Sequence, residues 1–298
     1  MPRDYPREVS FLPMPHLFRS GSPQRPDQGD HSPSQNRYYA WFEALHTRVD
    51  LLLLGSLSES EFEAAETAVR SELLAVEKMG NRFDPDSELS RAVHSSVPSS
   101  IVSPLFSPVP SPSLSPVFGG SSAETSSAEH ASATLLSPAL FNLLARCLQA
   151  HHETGGLFDI TVNSPDFVPG LINSVELIPD SGSRSGYLRL HNPSIILDLS
   201  GILKGYALER LRPLLPEYGI TDALINLGNS SILSLGQNPS DIPSGQCLTT
   251  SGNATADRRH IRNPLTGEYV TGQRTVSVTT PDAIDGEILA TTRFILLS

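Results

Sequence analysis

Between Ser95 and Pro138 the chain carries 15 serines and 7 prolines in 44 residues, with neither lysine nor arginine among them. Each proline removes a backbone donor and serine brings little apolar surface, so such a stretch builds neither a ladder nor a core of its own. The flanking sequence returns to ordinary hydrophobic periodicity. Residues 95–137 are therefore expected to form a disordered, low-complexity insertion in a surface loop, not a linker between domains. Whatever fold the chain adopts must be closed by elements before the insertion meeting elements after it. Residues 1–37, rich in Pro, Ser, Asp and Gln, are expected to be a disordered leader on the same grounds. A single domain over residues 38–298 remains.

That domain reads as intermixed helices and strands. Tyr38 to Gly55 ends in the apolar run VDLLLLG, suited to a buried strand. A helix follows, capped by Ser58 or Ser60, with Phe62, Ala65, Val69, Leu73 and Val76 at helical spacing, and it stops near Gly80. Pro138 to about His152 repeats the helical pattern through Leu140, Leu143, Leu144, Cys147 and Leu148. Strands are expected at 194–199, 222–227, 231–235 and 275–279, with a helix at 203–212. A final helix from Gly286 is expected to run into a strand by Leu297. Strict βαβ alternation is missing, so the expected class is α+β and not a doubly wound sheet.

The formal charge of −11 argues against nucleic acid or an anionic membrane as partner, because both demand clustered Lys and Arg. An anionic ligand must instead be met locally, by a few cations, backbone N–H groups or a bound metal. No stretch approaches the ~20 apolar residues of a membrane span, and the first residues hold no apolar core of signal-peptide length. A soluble, cytoplasmic protein is expected. Cys147 and Cys247 are too few and too far apart for a disulfide framework or a zinc site.

Chemistry is confined to short polar–glycine clusters. There is no GxGxxG, P-loop or GxSxG, and His151-His152-Glu153 lacks the second histidine of a zincin helix. In RFDPDSELSRAV (82–93), Asp86 or Ser87 suits a helix cap with Glu88 in the first turn. In ETGGLFDITV (153–162), Gly155 and Gly156 stop a helix and a strand bearing Asp159 is expected to follow. In DLSGILKGYALERL (198–211), Asp198 ends an apolar strand, Ser200 and Gly201 make a tight turn, and Lys204 and Gly205 fall in the first turn of a helix. Glycine lets a ligand approach the backbone, and N–H groups at a helix start favour anions. A lysine there opposes the helix dipole unless an anion accompanies it. A plain turn with a solvated lysine explains the same residues equally well. INLGNSSILSLG (225–236) runs from strand through polar turn to strand. RHIRNPLTGEYV (259–270) sets a turn at Asn263-Pro264 beside His260 and Arg262, which suits phosphate or an ordinary hairpin loop.

Taken in order, RFDPDSELSR, ETGGLFDITV, DLSGILKGYALER, NLGNS, TSG at Thr250 to Gly252, HIRNPLTG and DGEILATTRFILL resemble the ApbE family of flavin transferases. The resemblance runs from about Trp41 to Leu297, apart from the insertion. It implies an ApbE-like (T-fold-like) α+β fold, mixed sheets packed with helices in a single catalytic domain. It also implies Mg²⁺-dependent transfer of FMN from FAD to a threonine or serine of an acceptor flavoprotein, with release of AMP. Carried over motif by motif, Ser200, Gly201, Lys204, Tyr206, Asn226, Gly228, Thr250, Ser251 and His260 would bind FAD. His260 and Lys204 would serve catalysis, and Glu287, Thr291 and a backbone oxygen at Gly201 would hold Mg²⁺. Asp159 and Asp198 would be structural. Three acidic positions of the family pattern are altered here: Glu287 replaces an Asp, NLGGD has become Asn226 to Ser230, and Asn263 replaces an Asp. These changes motivate two rival readings, a non-catalytic or weakly catalytic FAD-binding or interaction protein on the same scaffold, and an FAD pyrophosphatase yielding FMN and AMP.

Overall fold

A computed structural model describes residues 36–96, 133–253, 255 and 259–297. Most of the expected leader and insertion lie outside the described residues. Strand β1 (Asn36–Ala44) already begins at Asn36, so residues 36 and 37 belong to the sheet. The ends of the insertion are also built in, since Ser95 closes helix α2 (Glu88–Ser95) and strand β3 spans Thr134–Leu136.

The architecture is α+β, with five helices and nine strands among the described residues. The middle of the chain, Arg82–Asp198, forms one compact unit inserted between the two halves of another, which ends at Asn81 and resumes at Leu199. The outer unit is built on an antiparallel six-stranded sheet in the order β1-β2-β6-β7-β8-β9. It comprises β1, β2 (Thr47–Gly55), β6 (Asp222–Leu227), β7 (Ser231–Leu235), β8 (Cys247–Asn253) and β9 (Arg274–Thr280). The run in β2 is buried along its length because it lies inside the sheet, between β1 and β6. Helix α1 (Glu59–Gly80) starts at a capping box in which Ser58 and Glu61 satisfy each other's backbone donors. Helices α4 (Leu203–Glu217) and α5 (Ala283–Leu296) complete this unit. On one sheet face Leu52, Leu54, Leu224, Ile232 and Leu248 form a compact apolar cluster.

The inner unit holds α2, α3 (Pro138–Glu153), a short 3-10 turn at Leu171–Ser174 and a small sheet ordered β3-β5-β4, with β4 at Val175–Pro179 and β5 at Gly186–Leu190. Ser137 caps α3, and the Glu88 carboxylate accepts from both the Ser137 N–H (2.7 Å) and its hydroxyl (2.8 Å). Glu88 thus fixes the start of a second helix as well as standing in the first turn of its own.

Several expected elements differ. Residues 194–199 alternate as a strand should, with Ile195, Leu197 and Leu199 buried, yet they join no sheet. The Ser164 hydroxyl accepts from the Ile196 N–H, and the Asp198 N–H donates to the Ile160 carbonyl. These irregular partners do the work of a ladder. The segment after Gly156 is a series of turns, not a strand. Helix α4 continues past Arg212 to Glu217 through Pro213 and Pro216, held by buried Leu211 and Leu215. Helix α5 stays helical to Leu296, and the Thr292 hydroxyl donates to the Ile288 carbonyl, an i−4 bond that lets a β-branched residue sit in a helix.

Candidate functional site

The turn at Ser200-Gly201 is exposed, and a Cβ added at Gly201 would meet nothing within 4 Å. The fold itself gives no reason for glycine there. Three residues on, Lys204 is half-buried in the first turn of α4, and no hydrogen bond or ion pair engages its ammonium among the described residues. Gly205 is different. A Cβ there would lie 2.5 Å from the Ala283 carbonyl oxygen and 2.7 Å from Glu287 Cγ, so this glycine serves the close approach of α5 to α4 and not of a ligand.

The start of α4 lacks its own anion. Ile202 at the cap position has no side-chain capping bond, and no acidic residue falls in the first turn. Glu287, only 4% exposed, supplies one from α5. Its carboxylate accepts from the Gly205 N–H and from the Ser231 hydroxyl at 2.5 Å, with the Lys204 charge nearby. Burial pushes the Glu287 carboxyl above the usual carboxylate range, opposed by Lys204, Ser231 and Gly205. The anion that the sequence calls for beside Lys204 is therefore partly the protein's own side chain.

The other implied residues divide between the two faces of the sheet. Side chains alternate along a strand, and Ser231, Thr249 and Ser251 face α5. There Glu287 meets Ser231, the Ser251 and Thr291 hydroxyl oxygens lie 3.1 Å apart, and Gly286 packs so closely that a Cβ would lie 2.6 Å from Thr249 Oγ1. Thr250 and Asn226 share the opposite face with Ile232 and Leu248. Thr250 pairs with Ser277 through their hydroxyls at 2.8 Å. Asn226 is 1% exposed and uses both ends of its amide on Asn229, accepting from the Asn229 N–H and donating to its side-chain oxygen. Gly228 has φ +65 and a Cβ there would collide with Thr47, so the hairpin alone demands glycine. Tyr206 sits half-buried in α4, and His260 is exposed on the loop before the Arg262–Tyr269 bridge.

The two side-chain donors implied for Mg²⁺, Glu287 and Thr291, do not fit it as they stand. Thr291 is paired with Ser251. Glu287 has its carboxylate committed to Ser231 and Gly205, is closed off from water and lies within the field of Lys204. Mg²⁺ is held by one or two carboxylates plus waters and phosphate oxygens at near-octahedral angles, and a carboxylate sealed among protein donors leaves no room for that shell. No group of three or more His, Cys, Asp or Glu able to hold a metal occurs among the described residues.

In the inner unit Arg82 of the first motif and Asn163, one residue past the second, meet at the carboxylate of Asp198, which opens the third. Asp198 Oδ2 lies 2.8 Å from Arg82 Nε and accepts from the Asn163 amide at 2.8 Å. The Arg82 Nε–H is not aligned for a hydrogen bond, so this contact is an ion pair. Asp159 accepts through Oδ1 from the Thr161 N–H and hydroxyl, while its Oδ2 lies 3.5 Å from His151 Nδ1. Neither carboxylate lies open to solvent. A cleft of about 510 Å³, lined by His151, His152, Gly155, Gly156 and Asn173 among others, opens in this unit. Gly155 and Gly156 of the second motif line it together with residues of α3, the 3-10 turn and β4, a combination that no local pattern announces.

The fold and site define an α+β protein with a lysine-bearing helix start next to an open glycine turn, buttressed by a buried carboxylate. The sequence profile of the ApbE family matches residues 45–297, and the chain belongs to that family. No curated protein matches it. Among solved structures it is similar to the flavin transferase ApbE from Vibrio cholerae, at 18% identity over 88% of each chain with a TM-score of 0.64. It is also similar to the flavinyl transferase ApbE of Pseudomonas stutzeri in its apo form, at 15% identity over 88% of this chain and 85% of that one, TM-score 0.63. The ApbE protein of Thermotoga maritima gives 17% identity over 88% and 87%, TM-score 0.63. No helix among the described residues is long and apolar enough to cross a membrane.

Proposed function

We propose that this chain is an FAD:protein FMN transferase, moving FMN from FAD to the hydroxyl of a threonine or serine on an acceptor flavoprotein and releasing AMP. Family membership supports flavin transfer as the kind of reaction. The observation that bears most on the donor is Lys204, a half-buried cation with no direct partner among the described residues, beside a glycine turn with no structural reason to be glycine. A diphosphate suits that pairing, since glycine admits the phosphate to the backbone and the lysine neutralises it.

The step balances simply. The acceptor oxygen forms a bond to the FMN phosphorus as the anhydride P–O bond to AMP breaks, and the electron pair leaves on the AMP phosphate. The hydroxyl proton goes to His260 or to water. Such transfers depend on positioning and on spreading charge, with little covalent work for the protein. Lys204 and the Ser200-Gly201 turn would hold the diphosphate, with Tyr206, Thr250 and Ser251 as further FAD contacts. The Mg²⁺ implied by the family resemblance enters none of these steps, because its two implied side-chain donors do not fit it. A cytoplasmic location belongs to the same proposal.

The test is to incubate purified protein with FAD, divalent cation and a threonine-containing acceptor. AMP should appear in step with a gain in acceptor mass equal to an FMN group. FAD binding without AMP would support the non-catalytic reading instead, and AMP without a mass gain would point to a pyrophosphatase.

A further inference from the structure

We propose that Glu287 is a positioning residue, the anion that caps α4 from outside, and not a metal ligand in this protein. Helix α4 begins at Ile202 with no capping side chain and no acid in its first turn, an unusual way to start a helix that carries a lysine there. The missing negative charge arrives from α5. Glu287 accepts from the Gly205 N–H, one of the donors a helix start leaves open, and from the Ser231 hydroxyl on β7 at 2.5 Å. One carboxylate thereby joins α4, α5 and β7.

The neighbours are shaped for this contact. Gly205 lets α5 approach until a Cβ would lie 2.7 Å from Glu287 Cγ, and Gly286 seats the same helix turn against Thr249. The side chain is 4% exposed, so its charge is balanced from within, by two hydrogen bonds and by Lys204. An ion sharing that carboxylate would have to displace protein donors and tolerate Lys204 beside it. Holding Lys204 in register with the Ser200-Gly201 turn is the consequence for the site. This inference goes beyond the transferase proposal and does not depend on it.

The experiment compares Glu287→Gln, which keeps the shape and one acceptor, with the wild-type full-length chain. Mn²⁺ binding is followed by electron paramagnetic resonance, alone and with FAD, alongside thermal unfolding and FAD affinity in Mg²⁺ buffer. A cap predicts unchanged Mn²⁺ binding in both conditions and a Tm lowered on the order of 5 °C. It also predicts FAD affinity raised about threefold or more, because removing a negative charge near Lys204 leaves that cation to the diphosphate. A structural role alone would not tighten FAD. A metal ligand predicts the reverse signs, and either a tenfold or greater loss of Mn²⁺ affinity or weakened FAD binding in Glu287→Gln overturns the proposal. Should that variant fail to fold, Ser231→Ala decides. The cap reading expects a lowered Tm with Mn²⁺ binding unchanged, whereas tighter Mn²⁺ binding at the freed oxygen overturns it. The Mn²⁺ measurements on flavin-free protein hold whether or not the chain transfers FMN.

Discussion

Two glycines of one motif, Gly201 and Gly205, are indistinguishable in sequence and do opposite work. Gly205 is enclosed by Ala283 and Glu287, whereas a Cβ on Gly201 would meet only open space. Gly205→Ala is expected to cost about 1–3 kcal/mol through overpacking of α4 on α5. Gly201→Ala should leave stability within about 0.5 kcal/mol yet weaken FAD binding by about tenfold, roughly 1.4 kcal/mol. Urea unfolding and fluorescence titration of FAD check the pair, and equal effects on stability would refute the division of labour. The two cysteines give a second residue-scale expectation. Burial pushes the Cys147 and Cys247 thiols up to about 12, with Arg212 opposing the shift at Cys247. A raised thiol pKa means less thiolate, about one part in ten thousand at pH 8, so thiol reagents should modify the native chain about a thousandfold more slowly than a free cysteine. Both thiols should react fully once the chain is unfolded in denaturant, and rapid labelling of the native protein would contradict the burial.

At the scale of elements, ion pairs and caps link segments that the sequence keeps far apart. Asp198 joins Arg82, which begins the first motif, to Asn163, one residue past the second, and it stands next to the Ser200-Gly201 turn in the chain. Removing the carboxylate leaves a largely buried guanidinium uncompensated, which costs more than the pair contributes. Arg82→Ala and Asp198→Ala are each expected to destabilise, while the double variant loses less than their sum by about 1–3 kcal/mol. Strict additivity in the double-mutant cycle would show that the contact is incidental. This contact also marks the limit of what the sequence conveyed. Helices α1, α3 and α4 and strands β2, β6, β7 and β9 were legible because their apolar residues recur in recognisable local patterns, with a serine cap just before α1. Segment 194–199 has a strand's alternation but draws its backbone partners from Ser164 and Ile160, which no local pattern announces. The same holds in the candidate site. Lys204 and the glycine turn were readable, whereas the commitment of Glu287 to Ser231, 56 residues earlier in the chain, was not.

For the whole molecule, the two-part threading determines where change is tolerated. The inner unit is entered and left by single chain passages at residues 81–82 and 198–199, so the series of motifs belongs to one folding problem despite its interruption. Both ends of the Ser/Pro-rich segment are anchored on the same strand. The Leu190 N–H donates to the Ser96 carbonyl, the Ser96 hydroxyl donates to the Leu188 carbonyl, and Thr134 pairs with Leu188. Two residues along a strand span about 7 Å, a distance that about six residues of flexible linker bridge easily. Replacing residues 97–132 with such a linker should therefore preserve the fold. Shortening the closed loop about sixfold lowers its closure entropy by roughly 1–2 kcal/mol, so the variant should be as stable as the full chain or slightly more so. Thermal unfolding and FAD affinity, measured side by side on both chains, give the comparison. A shortened chain that binds FAD normally but no longer modifies its acceptor would assign the segment to acceptor recognition. A chain destabilised by the replacement would show instead that residues 97–132 take part in the core, against the reading of their composition.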